Sequence, residues 1–336
     1  MGPRKRGVRK RKRSQDALVE EDGHNTERRA DEEEGDGRRK KKKKYIGAHV
    51  GIQGGVWKAV ESCLQMGGTS FALFLGSQRS WKRPALDPSA AEKFRVQCSS
   101  HGFDPAHIVP HGSYLMNCGS PKEDVFAKSQ ELLVDELGRC HMLGLKLYNF
   151  HPGSSLGTIT TEQCVEKIAG AINHAHQQIP DVVTVLENMS GQGSTVGGKF
   201  SELRGIIDRV RDQSRVGVCL DTCHAFSAGY DLAAEGGVKA MLDQFDQEVG
   251  RHYLKAVHLN DSKGQLGCHL DRHEDVGKGN IGISAFRDIV NEPRLDNIPL
   301  ILETPGRNLG RPGGGLAGRI GPEPGTPPRT MGETKD

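Results

Sequence analysis

Nine side chains of the kinds that bind divalent cations are spaced so that alternating strands and helices would carry them to one rim. They are His111, His151, Glu187, Asp221, His224, His258, Asp271, His273 and Glu303. The pattern is sharpest in Val218-Cys219-Leu220-Asp221-Thr222-Cys223-His224, where an apolar run ends in an aspartate and a histidine follows three residues on. A carboxylate buried at such a strand end costs several kcal/mol unless something compensates it. His111, His151, Glu187, His258 and Glu303 end apolar runs in the same manner, and shared cations would compensate all six together. All nine are His, Asp or Glu, a donor set suited to zinc or manganese; without a thiolate among them, a structural zinc knuckle is not expected. Asp271 and His273, two residues apart, would face one side of an extended loop, and with His224 they offer a separate three-ligand site.

The elements that must position these groups can be read from hydrophobic texture. Eight short apolar runs recur: 45–50, 70–75, 107–110, 146–150, 182–186, 216–220, 254–259 and 299–302. They do not alternate cleanly, as expected of strands buried on both faces. Helical patterns lie between them at 55–67, 88–101, 122–143, 161–178, 200–211 and 237–250. Asp87-Pro88 places a capping residue before a proline at the first helical position, and Thr161-Glu162 opens another helix with an acid in its first turn. Strand and helix alternating over residues 45–306 predict a parallel (β/α)8 TIM barrel, whose carboxyl-terminal strand ends form the active rim. An open doubly wound sheet would show a phosphate-binding glycine loop after its first strand, and Gly47 to Gly55 lacks the GxGxxG spacing. After Glu303 a barrel needs a last covering helix. Residues 307–336, with Gly313 to Gly315 and Pro327-Pro328, cannot supply one, which leaves closure open.

Both ends differ in composition from this body. Residues 1–44 carry 17 Lys/Arg and 10 Asp/Glu, and residues 307–336 hold 8 Gly and 5 Pro without period, so both are expected to be disordered tails. The body between them has a net charge of −6, which three divalent cations would offset. Arg4 to Arg13 and Arg38 to Lys44 form basic clusters of the kind read by nuclear import receptors or by nucleic acid. The expected location is the nucleus, with the mitochondrion as an alternative. Eight cysteines form no CxxC pair and follow no secretory signal, which predicts reduced thiols in an intracellular protein. No apolar run reaches ~18 residues, so no transmembrane helix and no membrane partner are expected.

Several stretches carry a family resemblance: Tyr45-Ile-Gly-Ala-His49, Phe71-Ala-Leu-Phe74, Pro110-His-Gly-Ser-Tyr-Leu115, Asn149-Phe-His-Pro-Gly-Ser154, Leu186-Glu-Asn188 and Gly191-Gln-Gly193. The match continues through Arg215 to Asp231, His258-Leu-Asn-Asp261, Asp271-Arg-His273, Gly279-Asn-Ile-Gly282 and Pro299-Leu-Ile-Leu-Glu-Thr304. From Tyr45 to about Thr304 the chain resembles the endonuclease IV family of abasic-site (AP) endonucleases. The resemblance implies a monomeric barrel with three zinc ions, manganese being an option at the third. It would hydrolyse the phosphodiester 5′ to an abasic site in duplex DNA and leave a 3′-hydroxyl. Trimming of blocked 3′ ends is a further activity of this kind.

By position, the resemblance gives one ion to His111, His151 and Glu187. Glu187, the catalytic residue, bridges to a second ion held by Asp221, His258 and Glu303, and His224, Asp271 and His273 hold the third. Arg79, Tyr114 and Leu115 would enter the base stack as DNA-binding wedges while the abasic sugar flips out. Gly112 stands where some relatives carry an acid, and Ser77 where some carry Asn. Two other readings compete: a metal-dependent barrel acting on small sugars, and a DNA-binding chain impaired by its unusual carboxyl terminus.

Overall fold

The computed structural model describes residues 43–304. The first basic cluster, most of the second, and residues 307–336 lie outside them, and so do the expectations of tail disorder and import built on those segments. Lys44 belongs with the folded body, where its Nζ is 2.9 Å from Asp296.

Eight parallel strands form one closed barrel: β1 (Tyr45–Val50), β2 (Ser70–Phe74), β3 (Ile108–His111), β4 (Leu147–Phe150), β5 (Val183–Glu187), β6 (Val216–Asp221), β7 (Leu254–Leu259) and β8 (Pro299–Leu302). Each coincides with an expected apolar run to within one or two residues. The helices are α1 (Lys58–Gln65), α2 (Pro88–Ser100), α3 (Glu123–Leu143), α4 (Thr161–Gln178), α5 (Phe200–Arg209), α6 (Thr222–Ala228), α7 (Gly237–Glu248) and α8 (Ile283–Asn291). Local signals explain several boundaries. Asp87 Oδ1 accepts from the Ser89 amide at the start of α2. Thr160 and Gln163 cap α4 reciprocally, and α3 stops at Gly144 with φ 72°.

The barrel closes, which answers the doubt raised by the missing last helix. β1 pairs with β8 from Tyr45↔Pro299 to Ala48↔Leu302. Closure is a matter of strand ladders, whereas a covering helix buries outward faces; the two are separable. The seam is thinner outside: Ile46 on β1 is 36% exposed, although its partner Leu300 is buried. Gly47 permits the close approach on the other side, since a Cβ there would stand 1.5 Å from the Ser70 carbonyl oxygen.

Two cores result. A large one fills the space between strands and helices, and a small one of Val109, Leu147, Val185, Cys219 and Ala256 plugs the barrel interior. This plug sets the site, because inward side chains alternate along a strand. Val109, Val185, Cys219 and Ala256 each lie two residues before His111, Glu187, Asp221 and His258. Leu147 lies two before Asn149, and four before His151. The apolar layer is the floor, and the ligands stand on it.

Among the described residues no helix is long and apolar enough to cross a membrane. All eight cysteines are free, and seven of them are buried.

Candidate metal centre

At the carboxyl-terminal rim the strands bring eight of the nine predicted residues into overlapping groups. His111, Glu187, His258 and Glu303 form one; Glu187, Asp221 and His224 a second; and His224, Asp271 and His273 a third. His151 stands beside them, its Nε2 3.6 Å from Glu187 Oε1. The third group is the set the resemblance implied. The first two merge through Glu187, and Asp221 sits nearer Glu187 and His224 than expected, with its Oδ2 4.0 Å from His258 Nδ1.

The local chain path explains the convergence. Asp221 ends β6 and also caps α6, its Oδ1 accepting from the His224 amide at 2.8 Å. His224 is therefore in the first turn of a helix, where the sequence showed no helical pattern. The chain after β7 turns back through an antiparallel pair, Asp261–Ser262 with His273–Glu274, which returns His273 to the rim. Asp261 fixes that return: its carboxylate accepts from the amides of Ser262, Gly277, Gly279 and Ile281 at 2.8–3.0 Å.

Ring nitrogens face carboxylate oxygens across the cluster. His111 Nδ1 donates to the Gly112 carbonyl and His224 Nδ1 to the Asn188 carbonyl, both at 2.8 Å, which directs Nε2 of each ring inward. His111 Nε2 lies 3.3 Å from Glu187 Oε2, and His258 Nδ1 lies 3.2 Å from Glu187 Oε1 and 3.3 Å from Glu303 Oε2. His224 Nε2 and His273 Nε2 are each 3.1 Å from Asp271 Oδ1. Glu187 Oε1, His224 Nε2, His258 Nδ1 and His273 Nε2 are buried without a hydrogen-bond partner among the described residues. Two ligands about 2.0–2.1 Å from one tetrahedral ion are about 3.3 Å apart. The donor set and its spacings therefore fit divalent cations.

Electrostatics point the same way. Burial alone would raise Glu187, but His258, His151 and hydrogen bonding from His111 hold it well below the usual carboxylate range. Burial likewise opposes charge on His224, yet Asp221, Asp271 and Glu187 push it well above the ordinary histidine value. His273 rises to about 9, burial being outweighed by Asp221 and Asp271. Without metal, the carboxylates keep their charge by recruiting protons onto the rings. A cation would take the place of those protons.

Three asparagines at the site escaped sequence reasoning. Asn149 Nδ2 donates to Glu187 Oε2 at 2.6 Å, Asn260 Nδ2 to Asp221 Oδ2 at 2.5 Å, and Asn188 Oδ1 accepts from the Asp221 amide at 2.6 Å. Period two would have found Asn149 and Asn260, which flank His151 and His258 by two positions. Cys223 was also missed; its sulfur groups with Asp221 and His273, and burial pushes the thiol up to about 12. Among the other histidines, His49 faces the site, its ring 6.3 Å from that of His111. His107 stacks on Tyr45 at 3.5 Å, at the opposite end of the barrel. His269 bonds the Ser190 carbonyl through Nδ1 at 3.1 Å.

Of the predicted wedges, Tyr114 is 60% exposed, and its ring lies 5.4 Å from that of His111 and 5.5 Å from that of His151. Arg79 is exposed and Leu115 half-buried on the same rim. Gly112 has a steric reason: a Cβ there would meet Phe150 Cβ at 2.7 Å and the Tyr148 hydroxyl at 2.9 Å, so an acid would require the neighbours to move.

A family model described as xylose isomerase-like TIM barrel matches residues 60–325. A probable endonuclease 4 from Chlorobium phaeobacteroides is 50% identical over 262 residues, covering 78% of this chain and 92% of that protein. The crystal structure of endonuclease IV from Thermus thermophilus superposes with a TM-score of 0.69 at 36% identity, over 78% of this chain and 92% of the other. A D-tagatose 3-epimerase-like protein shares the fold at 16% identity and a TM-score of 0.55, over 76% of this chain and 89% of the other. With 50% identity to one such protein over 262 residues, 92% of that protein's length, this chain belongs to the endonuclease IV family.

Proposed function

We propose that the chain is a zinc-dependent AP endonuclease that hydrolyses the phosphodiester 5′ to an abasic site in duplex DNA, leaving a 3′-hydroxyl and a 5′-deoxyribose phosphate. The observation that carries the reading is the buried ligand cluster lying directly beneath an exposed aromatic side chain, Tyr114. His111, His151 and Glu187 would hold one ion; Glu187, Asp221, His258 and Glu303 a second; and His224, Asp271 and His273 a third. Zinc bound there lowers the pKa of water toward neutrality and neutralises negative charge on phosphate and leaving oxygens.

The protein's own groups divide the remaining work. Asn149 fixes one oxygen of Glu187 and leaves the other, Oε1, unpartnered toward the interior, as a bridging carboxylate requires. Asn260 holds Asp221 Oδ2 and the His224 amide holds Oδ1, so both oxygens of Asp221 are oriented. Tyr114, Leu115 and Arg79 fill the gap in the base stack, so that the sugar lacking a base enters over the ligands. No side-chain nucleophile competes, because burial pushes Cys219 and Cys223 to about 12 and keeps both as thiols. An enzyme for small sugars would have no use for an exposed wedge at its mouth.

The test is incision of a duplex bearing one abasic site, with and without a zinc chelator, beside Glu187→Gln. Incision should depend on metal and fall about 10³-fold or more in the variant, the several kcal/mol that such a bridging ligand supports. Chelator-insensitive cleavage or a fully active variant would refute the reading.

A further inference from the structure

A second cluster of buried charge lies outside the barrel, between α3 and the segment that follows β2. Arg83 and Glu136 form an ion pair with side chains 3% and 0% exposed. One turn along α3, Arg139 pairs with Asp135 at 2.7 Å and donates to two backbone carbonyls, Leu75 at 3.5 Å and Pro84 at 2.7 Å. Arg83 in turn donates to the Ser77 carbonyl at 3.3 Å. Two guanidinium groups thus hold three carbonyls at both ends of the segment 75–84. Gly76 makes room for this arrangement, since a Cβ there would stand 2.9 Å from Arg83 Nη1 and 3.1 Å from Arg83 Cδ.

Taking these ions out of water is costly, and apolar side chains of similar volume would pack as well. What apolar side chains cannot do is fix a loop by directed hydrogen bonds from planar donors. The held segment has Arg79 at its tip. Its Gln78 accepts from the Tyr114 amide at 3.4 Å, which links the segment to the aromatic side chain above the ligands. We propose that Arg83, Glu136 and Arg139 are positioning residues, a clamp that sets the loop 75–84 in its DNA-engaging shape before DNA arrives. The role rests on the abasic-site reading above. A loop ordered in advance loses less freedom on binding, so the clamp acts on substrate capture and leaves the chemical step alone.

Arg139→Met and the milder Gly76→Ala test it in the full chain. Each should raise KM for the abasic duplex, about tenfold in Arg139→Met, with kcat within about twofold and bound zinc unchanged. Amide hydrogen exchange over 76–84 should quicken in the free protein. Unchanged KM despite faster exchange would reduce the cluster to a structural brace, and a fall in kcat together with zinc content would also overturn the proposal. If Arg139→Met does not fold, Gly76→Ala decides by the same readouts. A wild-type chain that fails to incise would count against the function and not the clamp, which loop exchange and the affinity for abasic duplex would then decide.

Discussion

Two regions of this molecule bury charge, and they do so in opposite ways. Outside the barrel, Arg83 with Glu136 and Arg139 with Asp135 neutralise each other and satisfy backbone carbonyls. Inside it, four carboxylates and five imidazoles turn their oxygen and nitrogen atoms on one another, and several of these atoms have no hydrogen-bond partner among the described residues. The outer cluster carries its own fixed cations, two guanidinium groups, although Arg83 Nε and Glu136 Oε2 also lack hydrogen-bond partners among the described residues. The inner cluster's positive charge is protons on its rings, which cations can replace, and that separates the clamp from the candidate metal centre without reference to any relative.

The contrast can be broken by mutation. Glu187→Gln, already proposed as the test of function, carries the largest expected effect because it removes the carboxylate common to the two merged groups. Next comes Asn260→Ala. Asn260 donates to Asp221 Oδ2 and accepts from the Glu303 amide at 3.1 Å, so it orients two ligands without touching a cation itself. Loss of such support should weaken zinc affinity by about 10- to 100-fold, measured by chelator competition. Unchanged affinity would mean that the ligands are held by their strands alone.

A smaller effect concerns protons. Metal-free His224 and His258 lie well above the ordinary histidine value and His273 at about 9, so at neutral pH these rings carry protons that zinc must displace. Zinc titration in weak buffer should release protons, and apparent affinity should rise with pH until about 9, where His273 loses its proton. Affinity that does not change below that pH would show that the rings are already neutral, and would remove the electrostatic half of the comparison. Arg139→Met should leave this release untouched, since the clamp holds no part of the ligand set.

Most of the barrel and the nine candidate ligands gathered at its rim could be read in the sequence, for one physical reason. Inward positions repeat every second residue, so an apolar floor and the polar group above it appear as short runs that end abruptly. What escaped lay where one residue does two jobs or where partners are remote in sequence. Asp221 ends a strand and caps a helix without any linker, so α6 is absent from the helical patterns of the sequence. The helix α8 is only nine residues long and follows a glycine-rich return, which hid its period. Asp261, fixed by four backbone amides, and the Arg139 grip on Leu75 and Pro84 join segments that no local pattern connects. Closure stayed open in the sequence because a covering helix was taken as its condition, whereas the pairing of β1 with β8 suffices.

The central claim is that the unpartnered nitrogen and oxygen atoms at the rim are a site for three zinc ions. Metal analysis of the full chain, purified without chelator and re-equilibrated with zinc, tests it most directly. The account predicts three zinc ions per chain, fewer in Glu187→Gln and three in Arg139→Met. A wild-type chain that binds one ion or none, or a Glu187→Gln chain that still holds three, would contradict it.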